Sequence, residues 1–217
     1  PTDSFEVAVA AGTVSAAAKI TVREDLFADM RGHWARRVSE FAYKNGIMDG
    51  ITSDGKRCFK PDSTINTAQF AAMTARYLKL DTVNYSDYNF EEKCGVTFAA
   101  TDSTVWSRPY IAALADKGII DSLFEKDGDI TIISADRPLS RIDAMRILGR
   151  LAKADTEKTV TSSAYTDMAK YADDAYVEYI DAALSAGLFG GYPDGTLRPD
   201  VFLTRAQTAA VFMRLYN

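Results

Sequence analysis

The sequence predicts a mainly α-helical chain made of three helix–loop–helix repeats, on three observations. One order of residues recurs when the chain is set on Gly46, Gly118 and Gly187. Trp34, Trp106 and Ala175 stand at one fixed distance upstream, and Ala42, Leu114 and Ala183 at another. Before the first of these glycines, Trp34, Val38, Phe41 and Ala42 fall on one helical face. Downstream, Pro61-Asp-Ser-Thr-Ile65-Asn-Thr-Ala-Gln69, Ala135-Asp-Arg-Pro-Leu139-Ser-Arg-Ile-Asp143 and Pro199-Asp-Val-Phe-Leu203-Thr-Arg-Ala-Gln207 re-align, each leading into an aliphatic stretch. One such unit cannot bury its apolar face alone, whereas three stacked units can.

In chain order, residues 1–25 stand apart from the repeats. Phe5-Glu-Val7-Ala-Val9 and Ala18-Lys-Ile20-Thr-Val22 alternate apolar and polar around Gly12-Thr13, which reads as a hairpin. This segment is expected to be a linker or the end of an upstream β-rich domain; packing of its strands on the repeats is the alternative.

The first copy, 26–81, is expected to hold a helix over 34–45 that Gly46 closes, a loop over 49–60 with a turn at Asp54-Gly55, and a helix over 67–80 capped by Asn66. Residues 82–97 form an aromatic and acidic insertion with Tyr85, Tyr88, Phe90, Glu91 and Glu92. It is either an exposed loop of structural origin or part of a binding face.

The second copy, 98–154, is expected to place helices over 106–117 and 140–153, with a small strand at 130–133. A polar linker, 155–164, leads to the third copy, 165–217, with helices over 173–186 and 204–216 and a turn at Tyr192-Pro-Asp-Gly195. Asp54, Asp127 and Asp194 read as turn residues. The second helix of each copy is rich in small and aliphatic residues: Ala71, Ala72 and Met73; Ala144, Ile147, Leu148 and Leu151; Ala209, Ala210, Phe212 and Met213. These are the candidates for a common core. Periodicity alone leaves an open solenoid as an alternative.

Bulk properties narrow the function. Hydrophobic residues make up 47% of the chain, enough for a core, and the net charge of -5 argues against a general grip on nucleic acid. No apolar run approaches the roughly 20 residues that span a bilayer, so no membrane insertion is expected. The chain starts at Pro1 rather than Met and is read as a segment of a longer precursor.

Cys58 and Cys94 fit no metal-ligand spacing; they are two unrelated thiols or, in a secreted protein, a bridge between the first two copies. His33 reads as a surface residue at a helix start. No metal or cofactor is implied. With one His, no Gly-x-Ser-x-Gly and no phosphate loop, no catalytic constellation is recognisable and no enzyme is expected.

The third copy carries Tyr165-Thr-Asp167, Gly191-Tyr192-Pro193-Asp194-Gly195-Thr-Leu-Arg-Pro199 and Leu203-Thr204-Arg205-Ala206-Gln207. This ordered set, with its partial counterparts in the other copies, resembles the S-layer homology (SLH) family. The resemblance implies a pseudo-threefold spindle, with the second helices as a central three-helix bundle and three prongs around it. It implies a non-catalytic module that anchors a surface protein to the bacterial cell wall or S-layer. The expected partner is secondary cell-wall polysaccharide attached to peptidoglycan, with a pyruvylated sugar as the acidic component. The alternative is an assembly module that contacts other envelope proteins without glycan, using the aromatic insertion.

The family's Arg position falls on Arg141 and Arg205, each after an N-cap residue, Ser140 and Thr204. A helix N-terminus with free N–H groups and an adjacent guanidinium can hold a carboxylate; pairing of each Arg with Asp136 or Asp200 is the structural alternative. Trp34 and Trp106 either stack on a sugar ring or pack at their helix starts. Asp29, Asp102 and Asp167 either accept sugar hydroxyls or cap the following helix. Gly46, Gly118 and Gly187 are helix stops that, by resemblance, also let a ligand approach the backbone. Three departures matter: Thr67 stands at the Arg position of the first copy, Ala175 at the Trp position of the third, and Gln69 and Gln207 where an acidic residue is expected. One or two working grooves are therefore expected.

Overall fold

The computed structural model describes residues 3–11, 14–22, 25–152 and 159–216. The chain is mainly helical. Strands β1 (Asp3–Ala11) and β2 (Val14–Val22) pair antiparallel, with Asp3 opposite Val22 and Ala11 opposite Val14. The expected turn at Gly12-Thr13 lies outside the described residues, as do Lys153 and part of the 155–164 linker.

The first copy has α1 (Arg36–Lys44), the short hairpin β3 (Ile51–Ser53) and β4 (Lys56–Cys58), and α2 (Thr67–Tyr77). The expected loop over 49–60 is thus largely a hairpin, and Asp54 and Gly55 take the left-handed conformation its tight turn requires. The insertion is not an open loop. It forms α3 (Phe90–Cys94), buries Phe90 and stacks it on Phe98 at 5.1 Å, with the Arg108 guanidinium over both rings. Tyr85 and Tyr88 lie half-buried against the same cluster.

In the middle copy, β5 (Thr97–Ala99) runs parallel to β7 (Ile130–Ser134), which pairs antiparallel with β6 (Glu125–Asp127). Helices α4 (Arg108–Asp116) and α5 (Arg141–Leu151) flank β6 and β7 in the chain. The third copy has α6 (Val177–Ser185) and α7 (Arg205–Tyr216). The first helices start later than expected: Trp34, Trp106 and Ala175 all precede α1, α4 and α6. Cys58 and Cys94 are free thiols, with Cys94 Sγ 3.2 Å from the Tyr88 hydroxyl.

The small and aliphatic residues of α2, α5 and α7 form the core as expected, with Leu151 and Met213 only partly buried. What joins the copies is a closed ring of backbone hydrogen bonds at the starts of these helices. Ile65 N–H donates to Leu203 C=O, Leu203 N–H to Leu139 C=O, and Leu139 N–H to Ile65 C=O, each at 3.0 Å. The three side chains are buried beside it. Around the ring, α2 packs against α4, α5 against α6, and α7 against α1. Each second helix therefore faces the first helix of the following copy, with the last copy facing the first.

Candidate functional site

The ring decides what the helix N-termini can do. An α-helix begins with four N–H groups lacking helical partners, and here all four are used. In α5, Arg141 N–H donates to Val201 C=O and Ile142 N–H to Pro199 C=O, each at 2.9 Å. A capping box satisfies the other two: Ser140 Oγ accepts from Asp143 N–H, and Asp143 Oδ2 accepts from Ser140 N–H. In α7, Arg205 and Ala206 donate to Ser63 and Pro61, and Thr204 and Gln207 form the box. In α2, Thr67 and Ala68 donate to Arg137 and Ala135, and Asn66 and Gln69 form it.

The expected free N–H groups are thus absent from these helix starts, and Ser140 and Thr204 are spent as caps. Gln69 and Gln207 replace the acidic residue without loss, because either side chain can accept from the N-cap N–H.

The two arginines remain available in part. Arg205 is only 6% exposed. Its Nε donates to Phe59 C=O at 2.7 Å and its Nη2 to Asp49 C=O at 2.8 Å. Nη1 has no hydrogen-bond partner among the described residues. Arg141 repeats half of this geometry: Nη2 donates to Gly190 C=O at 2.7 Å, whereas Nε is buried without a partner among the described residues. Its guanidinium lies 5.0 Å from the Phe189 ring centre and 5.7 Å from that of Tyr192.

Burial pulls the pKa of both guanidinium groups down; Tyr192 opposes this at Arg141, and Asp29 and Asp49 at Arg205. Neither Arg pairs with Asp136 or Asp200. Those carboxylates cap and pair within their own copies, Asp136 with Thr101 and Thr104 and Asp200 with Lys170 and Tyr171.

Arg205, from the third copy, lines a cavity of about 210 Å³ with Trp106, from the second, and with Asp49, Gln69, Ala72 and Arg76, from the first. The Trp and Arg of one groove thus come from different copies. Counting from the N-caps, Arg141 stands to α7 and α1 as Arg205 stands to α2 and α4. That register assigns Trp34 to Arg141, and it brings Thr67 and Ala175, two of the three departures, into the same α5–α6 groove.

The tryptophans are exposed, Trp34 by 64% and Trp106 by 46%, rather than packed away. The Trp106 Nε1–H donates to Ser103 C=O at 2.9 Å, so its face and not its N–H is free. Tyr110 meets it edge-on at 5.9 Å.

Asp29 and Asp167 do not cap the helices that follow them. Asp29 accepts from Phe59 and Lys60 N–H, both at 2.7 Å, and Asp167 from Leu197 and Arg198 N–H, both at 2.8 Å. Lys60 and Arg198 precede prolines at φ of 56° and 55°, where a side chain is strained. The carboxylates hold these strained turns, and neither caps a helix. Asp102 is exposed and has no hydrogen bond among the described residues. Gly46, Gly118 and Gly187 close their helices at φ of 68°, 63° and 67°, as expected. Open space lies where a Cβ would stand. His33 accepts from Ala35 N–H at 3.1 Å, steadying the start of α1.

A second row of arginines was not singled out from the sequence. Arg76, Arg150 and Arg214 occupy one register position on α2, α5 and α7. Arg76 pairs with Asp49 at 3.0 Å, Arg150 with Asp121 at 2.6 Å, and Arg214 donates to Leu188 C=O at 2.8 Å. Each ties its helix to the turn after the first helix of its own copy. The signal was present as a shared spacing from the cap residues.

The chain is 26% identical over 192 residues to an amylopullulanase of Thermoanaerobacterium thermosulfurigenes and, at the same identity and length, to exoglucanase XynX of Acetivibrio thermocellus. These alignments cover 87% of this chain but 9% and 16% of those proteins, so the chain spans a small part of their length. It is 40% identical over 79 residues, 36% of the chain, to cell surface glycoprotein 1 of Acetivibrio thermocellus, of which that covers 3%. Residues 26–71 and 164–209 match the family model of the S-layer homology domain, and with these relatives they point to attachment at the cell surface.

Proposed function

We propose that the chain is a non-catalytic anchoring module that binds peptidoglycan-linked secondary cell-wall polysaccharide. In this reading the middle copy is a third, diverged S-layer homology repeat, and the copies form a pseudo-threefold spindle around the second helices. The observation that carries the reading is the buried Arg205 guanidinium. Two backbone carbonyls fix its plane, while Nη1 has no hydrogen-bond partner among the described residues and lies on a guanidinium that lines a cavity with Trp106.

An anionic group of the glycan pairs with Nη1, and a sugar ring stacks on the exposed indole face. A charge-assisted bond of this kind contributes about 1.5–3 kcal/mol. The carbonyls of Phe59 and Asp49 orient the guanidinium before the ligand arrives, so little ordering is left for binding. Arg141 and Trp34 supply the second groove. Two weak sites on one body, facing a repetitive polymer, add avidity. A pyruvylated sugar would supply the carboxylate. The catalysis named for the enzyme relatives belongs, in this reading, to parts of those proteins that the chain does not cover.

The assembly reading loses part of its support, because the insertion's Phe90 is buried and Tyr85 and Tyr88 are half-buried. The test is retention on purified sacculi of the source bacterium, intact and after hydrofluoric acid has stripped the secondary polymer. Trp106→Ala and Trp34→Ala change exposed side chains and are expected to fold. Retention should fall at least tenfold on stripping and severalfold in each variant. Equal retention on stripped walls, or no loss in the double variant, sinks the reading.

A further inference from the structure

The α5–α6 groove differs from the other two by more than its missing Arg and Trp. Ala72 lines the Arg205 cavity from α2. The same register position is Ala210 on α7 but Arg146 on α5. The Arg146 side chain is 17% exposed and pairs with Asp174, 6% exposed, from the third copy. It also pairs with Asp143 of its own helix at 3.3 Å and lies 5.8 Å from the Tyr171 ring centre. The other Asp174 oxygen accepts from Tyr176 N–H at 2.9 Å.

Behind this pair, the Arg150 guanidinium lies 5.1 and 4.5 Å from the ring centres of Tyr176 and Tyr179. The helices approach so closely that a Cβ on Gly149 would stand 1.8 Å from the Tyr179 carbonyl oxygen. Thr67, at the Arg position, is buried, and both its N–H and its hydroxyl are turned to Arg137 C=O.

We infer that this third groove is ligated from within. The Asp174 carboxylate occupies a guanidinium of the chain itself, as a bound anion would in the open grooves. The groove is a clasp between the second and third copies, and the chain has two ligand grooves. The count of two rests on the anchoring reading; the clasp stands on the geometry of Arg146 and Asp174.

The test measures two quantities on each variant of the full chain: the urea unfolding midpoint and retention on sacculi that keep their secondary polymer. Asp174→Ala leaves a largely buried guanidinium with Asp143 as its one remaining carboxylate among the described residues and should lower the midpoint by about 1 M. Asp174→Asn keeps the shape and should lower it by less. Retention of the folded protein should stay at the wild-type level in both, whereas Trp106→Ala and Trp34→Ala should lose retention at an unchanged midpoint. An unchanged midpoint in both Asp174 variants overturns the clasp. Loss of retention by folded Asp174→Asn as large as in Trp106→Ala overturns the count. If wild type is not retained at all, the anchoring reading fails, and the urea midpoints still judge the clasp.

Discussion

The outer copies and the middle copy reach the same end by different chemistry. In the first and third, a carboxylate, Asp29 or Asp167, grips two successive N–H groups and holds a left-handed residue before a proline. In the middle copy a parallel strand pair does that work. Ala135 N–H donates to Ala99 C=O at 2.8 Å, and the carboxylate has changed sides: Asp136, on the returning segment, accepts from the Thr101 N–H and from the hydroxyls of Thr101 and Thr104.

In every copy the returning chain delivers two carbonyls to the start of a neighbour's helix. The difference teaches that delivery of these carbonyls is the constraint, and that the clamp behind them is free to vary. The two segments matching the family model are the two that use the carboxylate clamp.

This comparison can be broken at its shared part. Ile65→Ala, Leu139→Ala and Leu203→Ala each remove a buried side chain beside the ring and should each cost about 3 kcal/mol in urea unfolding. A much smaller loss at Leu139 would mean that the middle copy is not an equal member of the ring. The clamps give a smaller, crossed effect. Asp29→Ala and Asp167→Ala should each cost about 1–2 kcal/mol, since a charged acceptor of two backbone N–H groups is lost. Asp102→Ala should leave the melting temperature unchanged, and Asp136→Ala should lower it clearly. Equal effects of Asp29 and Asp102 would erase the distinction.

Acid gives the smallest effect. Hydrogen bonds from Thr196 and Arg198 push the Asp194 pKa down to about 2, below an unfolded value of about 4. Its contribution is therefore present above pH ~4 and is lost as the pH falls toward 2. The Asp200 pKa is lowered by its bonds to Lys170 and Tyr171. Burial opposes the lowering at Asp136, and the bonds from Thr101 and Thr104 outweigh it. Asp194→Asn should flatten the acid limb of the stability profile slightly; an unchanged limb would show that the turn at 192–195 adds nothing.

The local features were legible in the sequence. The glycine stops, the second helices and their cores follow from spacing, and the N-caps from residue type. The groove composition was not legible, because Arg205 meets Trp106 only through a ring closed between distant segments. Local pattern also leaves Asp29 undecided between cap and acceptor, since its partners, Phe59 and Lys60, lie across the whole copy. The inward turn of the insertion depends on Arg108, whose place over Phe90 and Phe98 no periodicity encodes. Nothing in the local pattern sets Arg146 apart; only its alignment with Ala72 and Ala210 marks it as different.

The ring has a consequence for how the chain comes into being. In an open array a copy can be gained or lost and the rest still stacks. Here, removing any copy leaves a neighbour's helix start without its carbonyls, so the triplet is the smallest unit that duplication can hand on intact. The last link needs Leu203, which lies in the third copy. A chain made or threaded through a pore from its N-terminus holds two unfinished copies until the third emerges, and the fold then completes in one late step.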